Sequence, residues 1–157
     1  MTVTVPSSTA PAVRRWLFNQ LTAVLAPDPN NARASLLVCV DGPGPEQPDD
    51  IVSISGTART FEKGSFVGNG GAGWLRERYT ITVEIDVFRG GDDPLTVAER
   101  GQALADGVIA VVRSDLTLGG NVLISSPQSD DGAGEWDENH LGRHWTQTVT
   151  VSCFAQI

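Results

Sequence analysis

Two histidines four residues apart, His140 and His144, are the one pair in this chain with metal-ligand spacing. Asp137, Glu138, Cys39 and Cys153 are the groups that could complete a ligand set. Two imidazoles at i and i+4 converge only on a helix. The residues that follow His144 alternate as a strand does, so we expect a loop histidine and a strand-entry histidine, with no metal between them. A small metal-dependent enzyme built on His140 and His144 is the alternative that this pair keeps open. The carboxylate pairs Asp49-Asp50, Asp92-Asp93 and Asp130-Asp131 could serve acid–base chemistry or bind Ca²⁺. Each sits beside Gly, Ser or Pro, and no calcium-loop pattern is present, so solvated turns are expected. The run Gly68-Asn-Gly-Gly-Ala-Gly73 lacks the Gly-Lys-Ser/Thr ending of a phosphate loop and leads into a strand, as a hairpin tip would. No nucleophile elbow or cofactor fingerprint appears. The residues therefore predict no catalytic centre, no bound cofactor and no metal.

The aromatics suggest contact rather than catalysis. Trp16 falls on a helical apolar stripe and Trp145 on an alternating strand, so both are expected in the core. Phe66 and Val67, with Trp74 beside the glycine run and Trp136 in an acidic segment, have no evident place in a core. Together with Asp130 and Asp131 they are the candidate residues of a partner interface.

The elements that must carry these residues can be read from periodicity. Pro11–Leu25 predicts an amphipathic helix, with Thr9 as N-cap and Val13, Trp16, Leu17, Leu21, Val24 and Leu25 as its stripe. Ala34–Val40 is a short apolar run suited to a strand buried on both faces. Asp41–Pro48 is a breaker-rich surface loop. Ile51–Phe61 and Tyr79–Phe88 predict a long hairpin whose tip, Glu62–Trp74, is mobile. Asp93–Arg113 predicts a second helix, with Thr96 and Glu99 forming a capping box. A turn at Thr117–Gly120 leads to a short strand, Asn121–Ile124. A polar, acidic loop, Ser125–Leu141, then leads to a last strand, Trp145–Cys153. In both long strands apolar residues alternate with Thr, Glu and Asp, which predicts one buried and one wet face. The order helix, three strands, helix, two strands predicts one α+β domain over residues 1–157, with a flexible start at 1–9. Its sheet should be mainly antiparallel, with two helices packed on one face.

Composition narrows the function classes. Of 157 residues, 40% are hydrophobic and 19% charged, which describes a chain able to bury one core. No apolar run approaches the roughly 20 residues that cross a bilayer, and the first ten residues lack the basic start and apolar centre of a secretory signal. Synthesis in the cytoplasm and no membrane partner are expected. A net charge of −8 opposes binding to nucleic acid, whose backbone is held by clustered Lys and Arg. The two cysteines are expected as small buried thiols, and they could pair only if their strands are neighbours.

This succession of elements resembles the tail terminator, or tail completion, proteins of long-tailed bacteriophages. The likeness is carried by Val13-Arg-Arg-Trp-Leu17 in the first helix, strand Tyr79–Phe88, the stretch Val97–Val122 and the closing strand Trp145–Ile157. The resemblance implies a homo-oligomeric ring, usually a hexamer, at the head–tail interface of a virion. Such a ring caps the tail tube protein, halts its polymerisation and meets the head connector or neck proteins. DNA passes through the lumen without specific binding, and an acidic lumen would suit that passage. The resemblance implies no catalytic residue. Another head–tail joining protein or a tail-tube protein is the nearest alternative.

Overall fold

The computed structural model describes residues 7–63 and 75–157. Helix α1 spans Ala10–Val24, followed by strands β1 (Leu36–Val40), β2 (Asp50–Lys63) and β3 (Leu75–Gly90). Helix α2 (Pro94–Ser114) precedes β4 (Ile124–Asp137) and β5 (Gly142–Gln156). The strands form one five-stranded sheet in the order β1-β2-β3-β5-β4, with β1 parallel to β2 and every other pair antiparallel. The fold class is α+β, as the succession of elements predicts.

Alternation decides which face is covered. Tyr79, Ile81, Val83, Ile85 and Val87 of β3 are at most 2% exposed, and they pair across the sheet with Cys153, Val151, Val149, Gln147 and Trp145 of β5. Both helices pack on this face. Val13, Leu17 and Leu21 of α1 and Val97, Leu104, Val108 and Val112 of α2 close one continuous core with it. Helix α1 lies over β1 and β2, and α2 over β3, β5 and β4. Burial of this alternating stripe drives the sheet–helix packing, at roughly 25 cal/mol per Å² of apolar surface removed from water.

Several expectations need correction. No strand spans Asn121–Ile124, since β4 begins only at Ile124, and Val24 at the end of the α1 stripe is exposed. The segment Ser125–Leu141 is not an acidic loop. Most of it is β4, paired with β5 from Ile124↔Phe154 to Asp137↔Gly142 and broken by a bulge at Pro127/Ser129. As an edge strand it leaves most side chains exposed, so its polarity hides its extended backbone. The apolar run Leu36–Val40 is likewise an edge strand, half-buried rather than enclosed on both faces. The second helix is capped by Asp93, whose side chain accepts the Thr96 amide hydrogen at 3.3 Å, instead of by a Thr96–Glu99 box. Thr9 stands at the N-cap of α1 without capping it. Its hydroxyl turns to Glu77 and Tyr79, at 2.6 and 2.8 Å.

Candidate partner interface

The face of the sheet away from the helices is built of hydroxyls and carboxylates. Thr80, Thr82, Glu84 and Asp86 of β3 lie level with Ser152, Thr150, Thr148 and Thr146 of β5. Ser126, Ser129, Asp131 and Ala133 of β4 continue those rows. Threonine suits this place because its branched Cβ packs on a pleated surface while its hydroxyl stays wet. Glu84, Asp131 and Glu135 are exposed. The cations on this face stand toward the Lys63↔Leu75 end of the β2–β3 pair, where Arg78 pairs with Glu62 at 3.1 Å and stacks 4.5 Å over Phe154.

The edge strand beside this face is bolted to the core by one indole. The Trp145 side chain projects to the helix side, where α2 and β4 both present glycine. A Cβ at Gly101 would collide with the indole, and one at Gly132 would stand 2.5 Å from it. Trp145 Nε1 donates to Gln147 Oε1 at 2.8 Å. The Gln147 amide donates onward to Gln102 Oε1 at 3.1 Å and to Asp130 Oδ1 at 2.5 Å. Gln147 is only 2% exposed, so this network satisfies a polar group that burial would otherwise penalise. Of the candidate interface residues, Asp130, Asp131 and Trp136 therefore gather on a single strand. Trp136 is 38% exposed, with the Arg143 guanidinium 5.4 Å above its ring. Phe66, Val67 and Trp74, with the rest of the glycine run, lie outside the described residues.

No protein-family model and no curated protein matches this chain.

His144 occupies the start of β5, with its ring nitrogens 3.2 Å from Asp86 Oδ1 and 3.2 Å from Asp137 Oδ2. His140, in the preceding turn, meets the same Asp137 oxygen through Nδ1 at 2.8 Å, which holds the Asp137 carboxyl below its ordinary pKa. Phe88 packs against the His144 ring at 4.8 Å. The two imidazoles thus share a carboxylate. Among the described residues no group of three His, Cys, Asp or Glu side chains is placed to hold a metal ion.

Three charged features escaped the sequence reading. Asp50, expected as a solvated turn residue, is fully buried. It accepts a two-pronged pair from Arg89, at 2.6 and 3.1 Å, and a third bond from Arg100 Nε at 2.9 Å. Asp28 completes the cluster at 3.0 Å from Arg89. Burial alone would lower the Arg89 pKa, but the two carboxylates outweigh it and raise it. Glu77 is also fully buried, among Thr9, Ser8 and Arg59. Burial pushes its pKa up, yet the hydrogen bonds from Thr9, Ser8 and Arg59 prevail and hold the carboxyl below its usual value. The third feature is a groove of about 350 Å³ between α1 and the β1 edge, lined by Pro11, Arg14, Arg15, Phe18 and Val40. Adjacent arginines on a helix were the only sequence signal for it. Cys39 and Cys153 are free thiols on β1 and β5, with β2 and β3 between their strands.

Proposed function

We propose that this chain is a structural assembly protein, a tail terminator of a long-tailed bacteriophage. In this reading it forms a ring that caps the tail tube, stops its growth and presents a surface to the head connector. The observation that carries the reading is the sheet face of Thr80, Thr82, Glu84, Thr146, Thr148, Thr150 and Asp131, over which no helix lies among the described residues. A helix-free face of that size, lined by hydroxyls and carboxylates, suits a lumen through which DNA slides, because like charges leave no counterions to release. The antiparallel β2–β3 hairpin, still paired at Lys63↔Leu75, also fits a tail-tube protein, a class in which a long loop reaches the neighbouring ring.

The test is assembly of the purified chain, followed by light scattering and negative-stain microscopy, alone and with tail-tube protein. A finite ring that halts tube growth supports a terminator. Open-ended polymerisation of the chain by itself would move it to the tube class. A monomer at every concentration would overturn both readings.

A further inference from the structure

We propose that a second copy of this chain docks on the β1 edge through its own β4 edge, head to tail, so that the sheet runs on from one subunit into the next. The proposal rests on the assembly reading above and supplies its interface.

Among the described residues the topology leaves two strand edges at opposite ends of the sheet, β1 and β4. Because β1 is parallel to β2 and all other neighbours are antiparallel, β1 and β4 run in opposite senses. Copies related by rotation about an axis along the strands keep those senses. The β1 edge of one copy then meets the β4 edge of the next as an antiparallel pair. The helices of both copies fall on the same side of the junction.

The levels also agree. One cross-strand row runs Val40↔Ile54↔Val83↔Val149↔Asp130 through all five strands. The groove at Val40 and the carboxylate at Asp130 are thus the two ends of one row. At the β1 end, on the helix side, stand Arg14 and Arg15. Arg14 reaches Asp41 at 2.6 Å, but its buried Nε has no hydrogen-bond partner among the described residues, and Arg15 is exposed. At the β4 end, also on the helix side, the Gln102 amide bridges Asp106 and Asp130 at 3.0 Å each. Asp131 and Glu135 add charge from the other side of the strand, and β4 contains no Lys or Arg. Apolar surface waits at the groove, where Val40 is 41% exposed beside Phe18. The same charges exclude the competing arrangement, since two β4 edges would bring like charges into register. Opposite charge at the two ends of one row selects β1 against β4.

Size-exclusion chromatography with light scattering tests the pairing on the full chain. Arg15→Glu and Asp106→Arg, both at exposed helix positions, should each weaken self-association about tenfold or more, and added salt should weaken the wild type. An equimolar mixture of the two variants should reassociate, because each retains one unaltered edge and the altered edges match each other. That recovery also shows that both variants are folded. Variants that assemble like the wild type, or a mixture that stays dissociated while circular dichroism shows both chains folded, would overturn the pairing. A wild type that forms a ring indifferent to both substitutions refutes this interface and leaves the terminator reading standing. A wild type that responds as described yet grows into open filaments keeps the interface and refutes the terminator.

Discussion

The two faces of this sheet are made by the same strands and obey opposite rules. On the helix side the buried carboxylates and the buried amide are matched: Asp50 by Arg89 and Arg100, Glu77 by Thr9, Ser8 and Arg59, Gln147 by Trp145, Gln102 and Asp130. On the open side Thr82, Glu84, Thr148 and Thr150 stand in level rows with no helix over them among the described residues. Matching on the first face is a condition of folding, since an unpaired buried charge or amide costs more than its hydrogen bonds return. The second face carries no such condition, so folding alone does not dictate its composition.

Substitutions should expose that difference, and the largest effect belongs to the covered face. Val83→Asp places a lone carboxylate at a fully buried position and should abolish the cooperative unfolding transition seen by circular dichroism. Asp50→Ala leaves Arg100 with no carboxylate partner among the described residues and Arg89 with Asp28 alone. It should cost about 3–5 kcal/mol in urea denaturation. Gly132→Val drives a side chain into the Trp145 indole and should cost about 1–3 kcal/mol, accompanied by a shifted tryptophan fluorescence spectrum.

Glu77→Gln sharpens the comparison by pH. The folded carboxyl titrates below its ordinary value. Its contribution is therefore full above the unfolded pKa of about 4.3 and fades as pH falls through the folded pKa. The stability gap between wild type and Glu77→Gln should be widest near neutrality and close in acid. A gap that is constant from pH 7 to pH 2 would show that the charge is not what matters there. At the small end, Thr148→Val on the open face should change stability by less than about 0.5 kcal/mol. A loss of several kcal/mol would mean that this face is structurally committed after all.

How far the sequence could be read follows the same division. Strand Tyr79–Phe88 and the second helix were legible because one apolar partner layer imposes a strict period on each. Strand β4 was not, because an edge strand beneath an indole needs glycine and tolerates charge, which is also how a loop is written. Asp50 was misread for a related reason. Its neighbours Pro48 and Asp49 mark a turn, and only the fold brings Arg89 and Arg100, 39 and 50 residues away, to its carboxylate. Asp130, Asp131 and Trp136 can be named as partner candidates from residue type alone, whereas the arginine groove at the other edge depends on where α1 crosses the sheet.

The two thiols offer a practical handle. Burial drives the Cys153 pKa up to about 12, so almost none of it is in the reactive thiolate form at neutral pH. Cys39 sits half-exposed on β1, one residue from Val40. A maleimide dye should therefore mark the wild-type chain at a single position, on the rim where a neighbour would arrive, and its emission would report docking without any engineered residue.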